Sequence, residues 1–242
     1  MSEEINEQLV LVSGFSATGK SASLRNIENQ EDWFHLNTEA GKRLPFRNKF
    51  KSFSIDDPLQ VHEAFQVAIE DASVKGIVVD SLTFLMDMFE TQYVLPATNT
   101  MKAWGDYGQF FRKLMQELVV KFKRPTIFTA HLLEELDEKA MELKTKVPIK
   151  GALKGNGIEA YFSTVVSTKK VPTKILKNFQ NDLLNITEEE EELGYKHVFQ
   201  TRITKETTGE RIRSPMGMFT KDQTYIDNDV QLLLNHLREY YK

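Results

Sequence analysis

The feature that most constrains this chain is an eight-residue glycine-rich segment near its start. Residues 14–21 read Gly-Phe-Ser-Ala-Thr-Gly-Lys-Ser and match the pattern G-x-x-x-x-G-K-[ST] in full. The apolar run at 9–12 predicts a buried strand before the segment, and residues 22–27 predict a helix after it. This strand–loop–helix order is the context in which the pattern marks a phosphate-binding loop. The chain is therefore expected to form an α/β domain around a nucleotide site.

Each part of the segment suits a nucleoside triphosphate. Gly14 and Gly19 permit a tight loop whose backbone N–H groups wrap phosphates at the positive end of a helix. Lys20 is expected to reach the β- and γ-phosphates, and the Ser21 hydroxyl is expected to join the Mg²⁺ shell. We therefore expect ATP and Mg²⁺ as the bound species. The predicted nucleotide-binding residues are Gly14, Phe15, Ser16, Ala17, Thr18, Gly19, Lys20, Ser21 and Ala22.

Composition excludes several other classes of protein. The chain has no cysteine, which removes disulfides and thiolate metal sites, and its five histidines are too scattered to predict a transition-metal site. No apolar run approaches the length of a membrane span, and the acidic start is unlike a secretory signal, so we expect a cytoplasmic protein without membrane contact. The net charge of −4 gives no global basic field for nucleic acid, which leaves only a local patch.

Beyond the loop, predicted strands and helices alternate. Apolar or β-branched runs at 33–36, 77–79 and 126–130 predict strands, and amphipathic spacing predicts helices at 58–72 and 106–122. We expect Asp57 or Asp56 to cap the first of these helices and Gly76 to close it. Strict alternation predicts a doubly wound, mainly parallel sheet with right-handed crossovers.

The pattern changes after about residue 160. Segments 162–167 and 195–204 predict strands of an antiparallel C-terminal hairpin extension, and 230–241 predicts a closing helix. The acidic run at 188–192 is interpreted as a solvated loop between two strands, with a docking tail for a basic partner as the alternative. We expect one domain over residues 1–242, with its core at about 8–227 and a C-terminal helix at about 228–241.

Three further side chains at strand ends are expected to complete the site. Asp80 ends a hydrophobic strand 60 residues after Lys20, an arrangement that predicts a Mg²⁺ ligand beside Ser21. Hydrolysis needs a group that orients or deprotonates water. Glu39 is the candidate, against the alternatives of an exposed loop glutamate at this position or Glu90 in its place. His131 follows another strand and either senses the γ-phosphate or is a hydrogen-bonded strand-end histidine.

The order of these parts resembles the RecA-type ATPase core, and in particular short phage-encoded RecA-like recombination ATPases. The resemblance covers about residues 8–227. Its motifs are Phe34-His35-Leu36-Asn37-Thr38-Glu39-Ala40, Asp80-Ser81-Leu82 and Thr129-Ala130-His131. It implies a RecA-like P-loop NTPase fold, Glu39 as the catalytic glutamate and Asp80 as the Walker B acid. His131 is a departure, because RecA carries glutamine at that strand end.

The resemblance also implies single-stranded DNA as a partner. Segments 93–105 and 134–155 correspond to the two DNA-binding loops. The second has a lysine set that suits a phosphate backbone, although five acidic residues oppose it. That set is Lys139, Lys144, Lys146, Lys150 and Lys154. Trp104 is open to base stacking, whereas Tyr107 is expected to pack against the start of its helix.

A late hairpin at 198–205 resembles the one whose basic residues reach a neighbouring subunit's nucleotide. It implies Lys205 as a catalytic finger in trans, with Arg202 or Arg211 as substitutes, and a solvent-facing basic hairpin as the alternative. The chain is then a homo-oligomer, either a ring or a filament. Only about eight residues of this sequence precede the first strand, and we expect no separate C-terminal DNA-gathering domain. The filament contact of RecA is therefore expected to be missing or differently built.

The predicted function is DNA-stimulated ATP hydrolysis by a RecA-like protein that acts on single-stranded DNA in recombination or repair. The alternatives are a ring-forming motor or loader and a nucleotide-gated assembly ATPase. A nucleotide or small-molecule kinase is disfavoured, because Arg25, Arg43 and Arg47 are scattered and form no evident lid.

Overall fold

The computed structural model describes residues 6–138, 141–153 and 157–242. Its strands are β1 (Leu9–Gly14), β2 (Trp33–Asn37), β3 (Lys51–Ser54), β4 (Gly76–Asp80), β5 (Thr126–His131), β6 (Leu133–Asp137), β7 (Glu142–Lys146), β8 (Thr164–Pro172), β9 (Tyr195–Gln200) and β10 (Tyr225–Asp227). Its α-helices are α1 (Leu59–Glu70), α2 (Leu82–Phe89), α3 (Thr100–Lys113), α4 (Val119–Phe122), α5 (Thr173–Leu176), α6 (Glu188–Leu193) and α7 (Val230–Tyr240). A π-helical segment, Glu90–Val94, extends α2, and another, Leu114–Leu118, joins α3 to α4.

One sheet of eight strands organises the fold, in the order β10-β9-β8-β1-β5-β4-β2-β3. All neighbours from β8 to β3 run parallel, whereas β8, β9 and β10 pair antiparallel. Strands β6 and β7 form a separate antiparallel hairpin. The predicted mainly parallel sheet with antiparallel C-terminal strands is confirmed.

Both faces of the sheet are covered, as β1 illustrates. Its side chains at Leu9 and Leu11 enter a core shared with α1 to α4, whereas Val10 and Val12 enter a second core shared with α7. Each fully buried aliphatic side chain of this kind stabilises the fold by about 1.5–3 kcal/mol. This two-sided burial explains why β1 reads as a continuous apolar run.

Helix α1 starts where expected but ends earlier. Asp57 caps it, with Oδ1 accepting from the Leu59 backbone N–H at 2.8 Å. The helix stops at Glu70, so the expected closure at Gly76 is wrong. Gly76 instead begins β4 beneath the Trp33 ring, where a Cβ would lie 2.4 Å from ring carbons. Close packing against an indole, and not a helix end, explains this glycine.

The run of glutamates at 188–192 forms helix α6, which corrects the loop interpretation. Thr187 Oγ1 accepts from the Glu190 backbone N–H at 3.3 Å, and a Glu190 carboxylate oxygen accepts from the Thr187 N–H at 2.9 Å. This capping box satisfies two helix-end donors, and carboxylates in the first turn favour the positive end of the helix dipole. Gly194 ends the helix in the left-handed conformation.

The predicted helix after the glycine-rich loop is also shorter than expected. Only a 3₁₀ turn, Ser21–Leu24, follows the loop, and Asn29 takes a left-handed φ of 51° before β2. Leu24 and Ile27 are buried against the core that α7 helps to form. A phosphate at this position therefore relies on the loop's own N–H groups more than on a long helix dipole. None of the helices in the described ranges is long and apolar enough to cross a membrane.

Candidate nucleotide-binding site

The glycine-rich loop closes around its own lysine at the C-terminal end of β1. Lys20 Nζ donates to the carbonyl oxygens of Gly14 at 2.9 Å and Phe15 at 2.8 Å, and the residue is only 7% exposed. Burial lowers the Lys20 pKa to about 8, although the Glu39 and Asp80 carboxylates oppose this shift. The ammonium group is thus held in the centre of the loop, at a point where negative charge would stabilise it.

Both motif glycines are required by close neighbours from distant parts of the chain. A Cβ on Gly14 would lie 2.0 Å from Thr168 Oγ1, on β8. Gly19 has a φ of 102°, and a Cβ there would lie 2.4 Å from Asn228 Nδ2. That amide donates to the Gly19 carbonyl oxygen at 2.9 Å. The loop is therefore held by the sheet on one side and by the segment before α7 on the other.

Three predicted catalytic residues form one connected chain. His131 Nδ1 lies 3.5 Å from Lys20 Nζ, and His131 Nε2 lies 3.3 Å from Glu39 Oε1. A neutral ring with its hydrogen on Nε2 satisfies both contacts, because Lys20 can only donate and a carboxylate can only accept. The His131 backbone N–H donates to Thr83 Oγ1 at 2.9 Å, which fixes this strand end. The structure thus brings Lys20, His131 and Glu39 together.

Glu39 is buried and held from two sides. Its Oε2 accepts from Lys42 Nζ at 2.7 Å, and its backbone N–H donates to Asn37 Oδ1 at 3.0 Å. The hydrogen bond from His131 lowers the Glu39 pKa to about 2, helped by Lys42 and opposed by burial. The carboxylate is therefore ionised at neutral pH, as a proton acceptor must be.

Asp80 lies at the end of β4, supported by both neighbouring strands. It is 5% exposed. One carboxylate oxygen accepts from Thr129 Oγ1 on β5, and the other lies 3.7 Å from His35 Nε2 on β2. The peptide bond that follows, Asp80–Ser81, is cis. The Asp80 charge also acts on Lys20 and Lys42, so all three groups share one electrostatic environment.

Asp80 and Ser21 carry oxygen donors of the kind that suits magnesium. Asp80 offers a carboxylate and Ser21, in the cleft wall, offers a hydroxyl. Hard oxygen donors of this kind are what Mg²⁺ prefers. Within the described ranges, no group of three acidic or histidine side chains could hold a metal. Mg²⁺ at Ser21 and Asp80 would therefore take its other ligands from phosphates and water, as it usually does in nucleotide sites.

The phosphate loop, Glu39 and His131 line a cleft of about 520 Å³, within the range of small-molecule sites. Its wall includes eight residues that the sequence analysis did not assign to the site. They are Arg25, Lys42, Arg43, Pro45, Glu190, Lys196, His197 and Asn228. Lys196 Nζ contacts both Glu190 carboxylate oxygens, at 2.7 and 2.9 Å, and Asp227 Oδ1 at 3.2 Å. Residues 188–192 were predicted to be a solvated loop, although the spacing of Thr187 and Glu190 is that of a capping box.

A protein-family model described as an AAA domain matches residues 6–209. The match covers the loop, Glu39, Asp80, His131 and most of the sheet. The chain belongs to the AAA-domain family. It is a nucleotide-binding P-loop ATPase-type domain. No curated protein sequence matches the chain.

The predicted finger residues of this AAA domain lie away from its own cleft. The Lys205 side chain is 89% exposed and lies 3.4 Å from Glu206 Oε1. Arg202 donates to the Phe219 carbonyl oxygen at 2.7 Å, and Arg211 donates to Glu159 Oε2 at 3.0 Å. Both arginines therefore have partners within the chain. A role for Lys205 on another subunit's nucleotide stays a prediction.

The second segment predicted to bind DNA is largely an ordered hairpin. It contains β6, from its second residue, and β7. Three of its lysines pair with carboxylates: Lys144 with Asp137 at 2.5 Å, Lys146 with Glu135 at 2.6 Å, and Lys150 with Glu90 at 2.6 Å. Lys139 and Lys154 lie outside the described residues. The described cationic charges of this segment are thus balanced locally.

The first predicted DNA segment runs from the end of Glu90–Val94 into α3. Tyr107 is 1% exposed, so its expected packing is confirmed, but it lies inside α3 and not at the start of that helix. Trp104 is half-buried and packs edge-on against Tyr107, at a centroid distance of 5.3 Å. Gly151 lies under the same indole, where a Cβ would be 2.5 Å from a ring carbon. The Trp104 ring therefore joins the two segments.

Proposed function

We propose that this AAA domain binds ATP with Mg²⁺ and hydrolyses it, in an arrangement like that of the RecA core. The observation that carries the proposal is the chain Lys20–His131–Glu39, which lies in the same cleft as the phosphate loop. A phosphate-gripping cation and an ionised buried carboxylate in one cleft are the two parts that triphosphate hydrolysis requires.

The reaction follows from these positions. The oxygen of a water molecule forms a bond to the γ-phosphorus, and the bond from that phosphorus to the β,γ-bridging oxygen breaks. The electron pair goes to the bridging oxygen of ADP. Glu39 accepts the proton of the water and later releases it to solvent, while Lys20 stabilises charge on the phosphate oxygens. Bound at Ser21 and Asp80, Mg²⁺ would neutralise charge on the β- and γ-phosphates.

His131 is proposed to sense the γ-phosphate. It contacts the phosphate-binding lysine through one ring nitrogen and the glutamate through the other. Hairpin strand β6 begins two residues later, at Leu133. A change in the His131 contacts when the γ-phosphate leaves would therefore act directly on the start of the hairpin.

Phosphate release tests the enzymatic part of the proposal. K20A is expected to lose nucleotide binding or turnover. E39Q is expected to bind ATP but hydrolyse it about 10²–10⁴-fold more slowly, the usual contribution of a general base. E70Q, an exposed glutamate at the end of α1, is the matched control and should be as active as the wild type. Equal hydrolysis by E39Q and wild type would refute the role of Glu39.

We propose single-stranded DNA, in recombination or repair, as the partner of the β6–β7 hairpin. Support comes from the resemblance to RecA and from the short connection between His131 and β6. Binding would require Lys144 and Lys146 to exchange their carboxylate partners for backbone phosphates, so it should weaken steeply with salt. Homo-oligomerisation, with Lys205 reaching a neighbouring nucleotide, belongs to the same proposal.

ATP hydrolysis measured with and without single-stranded DNA, at low and at higher salt, tests this partner. Salt-sensitive stimulation supports it, and K144Q with K146Q should then reduce the stimulation but not the basal rate. An ATP hydrolysis rate that single-stranded DNA does not change favours a ring motor or an assembly ATPase. The absence of any turnover would favour a kinase, which a screen for phosphorylated acceptors would test.

A further inference from the structure

Among the described residues of the cleft wall, Lys42 is the lysine that forms an ion pair with the proposed general base. Its Nζ lies 2.7 Å from Glu39 Oε2, and it lines the same cleft as Lys20. The Lys42 side chain is 64% exposed, whereas that of Glu39 is 7% exposed. The ion pair therefore joins a fixed carboxylate to an ammonium group with room to move.

The turn that carries Lys42 is held by its backbone. The Lys42 N–H donates to the Glu39 carbonyl oxygen at 3.0 Å, and the Lys42 carbonyl oxygen accepts from Asn37 Nδ2 at 2.8 Å. Ala40 and Gly41 take left-handed φ values of 50° and 75°, which turn the chain back on itself. Lys42 can therefore redirect its ammonium group by side-chain rotation, without any change in the backbone.

Glu39 cannot act as a base efficiently while both contacts persist. His131 occupies Oε1 and Lys42 occupies Oε2. Between them these contacts bring the Glu39 pKa to about 2, which makes the carboxylate a weak proton acceptor. His131 is the fixed partner, because its backbone is bonded to Thr83 and its ring packs against Phe84. The exposed Lys42 is the partner that can leave.

The γ-phosphate of a bound triphosphate would attract the Lys42 ammonium group more strongly than the Glu39 carboxylate does. The charge of Lys42 contributes to lowering the Lys20 pKa, so the two ammonium groups already act on the same space. The γ-phosphate, gripped by Lys20, brings more negative charge into that space than one carboxylate does. The attraction of an ammonium group to an anion grows with the charge of that anion. Transfer of Lys42 to a γ-phosphate oxygen would also free Glu39 Oε2.

We propose that Lys42 is a catalytic cation in cis, which moves from Glu39 to the γ-phosphate when ATP binds. The inference rests on the proposed hydrolysis and extends it. Lys42 then does within one chain what an arginine finger does, stabilising charge in the transition state and, by leaving Glu39, activating the base. Lys205, exposed and outside its own cleft, is the competing source of this charge from a neighbouring subunit.

Two variants and a matched control test the inference. K42M removes the charge and keeps the apolar stem, K42R keeps a charge, and K49M alters an exposed lysine seven residues on that does not line the cleft. We expect K42M to lower the single-turnover rate about 10²–10³-fold, as loss of one transition-state donor does. K42R should recover part of the rate, and K49M should match the wild type. Thermal melts check that each variant folds.

Nucleotide affinities of K42M, and activity in a mixture of two variants, distinguish a cation in cis from a finger in trans. K42M should weaken the affinity for ATPγS several-fold and leave that for ADP unchanged, because only the γ-phosphate meets Lys42. Mixing K42M with K20A should restore no activity if Lys42 acts in cis, whereas a finger in trans would restore some. Three outcomes would each overturn the inference. K42M could lose equal affinity for ADP and ATPγS, or keep a single-turnover rate within threefold of wild type or above it. The mixture of K42M and K20A could also regain hydrolysis.

The same assays show when the proposed function itself fails. A wild type without ATP hydrolysis, or an E39Q variant as active as wild type, would refute the reaction. An active wild type and an inactive E39Q, together with a fully active K42M, would refute Lys42 alone. If K205A were then inactive, the finger in trans would take its place.

Discussion

Replacing Gly14 by alanine tests why the first glycine of the phosphate loop is required. The new Cβ would lie 2.0 Å from Thr168 Oγ1, 2.7 Å from Thr18 Oγ1 and 3.2 Å from Thr168 Cβ. The backbone φ of Gly14 is not in the left-handed region, so the conflict is steric. Thr168 must move its hydroxyl by more than 1 Å to reach an ordinary contact distance of about 3.4 Å.

The size of the effect follows from what Thr168 would lose. Its hydroxyl contacts Thr18 Oγ1 at 2.5 Å and donates to the Ser13 carbonyl oxygen at 3.3 Å. Overpacking of a tight site costs about 1–3 kcal/mol, and each lost hydrogen bond costs about 1 kcal/mol. We therefore expect G14A, which disturbs both contacts, to lower the free energy of unfolding by about 3–5 kcal/mol.

Urea denaturation of G14A, T168A and the double variant measures this coupling. T168A removes the hydroxyl that meets the new Cβ, so the double variant should be more stable than the sum of the single effects by at least about 1 kcal/mol. G105A is the control, because a Cβ there meets nothing within 4 Å in α3, and it should raise stability by up to about 1 kcal/mol. A G14A variant as stable as wild type, or strictly additive effects, would refute the steric explanation.

Three further predictions concern the cleft. H131Q should keep the hydrolysis rate within about tenfold of wild type, because an amide can both accept and donate a hydrogen bond. H131A should lower the rate about 10²-fold or more. Equal rates for the two variants would contradict a role for the His131 contacts with Lys20 and Glu39. Burial lowers the Lys20 pKa to about 8, so the ammonium group loses its proton as pH rises through 8. The affinity for ATP, measured by fluorescence titration, should therefore fall about fivefold from pH 8 to pH 9. The affinity of K20R should not change over this range, because arginine stays protonated. T187A should lower the free energy of unfolding, measured by urea denaturation, by about 1 kcal/mol, because the α6 cap is lost. An unchanged urea midpoint would show that the cap does not contribute to stability.

The central strands were readable from the sequence because burial on both faces leaves a simple pattern. The apolar runs in β1, β4 and β5 predicted strands, and their ends predicted Asp80 and His131 at one edge of the sheet. Parallel strands bring their C-terminal ends to one edge of the sheet. The order of strands along the sequence therefore predicted that Lys20, Glu39 and His131 lie close together.

Other parts depended on forces that local sequence does not display. Five successive glutamates suggested a solvated loop, yet the Thr187 cap and the pairing of Glu190 with Lys196 stabilise a helix there. The contact of Asn228 with Gly19 joins residues 209 positions apart, which no local pattern encodes. Lys42 was overlooked because an exposed loop lysine has no pattern of its own, and only the folded turn brings it to Glu39.

The position of β1 has a consequence for synthesis of the chain. Both of its strand neighbours come much later, β5 from residue 126 and β8 from residue 164, and the amide that holds Gly19 comes at residue 228. At about 5–20 residues per second, a ribosome needs roughly 10 to 40 s to travel from the loop to Asn228. During that interval the nascent β1 exposes an unpaired apolar edge, a natural substrate for chaperones. The loop is therefore synthesised well before the residues that hold it, and a chain interrupted before residue 228 would lack the Asn228 amide.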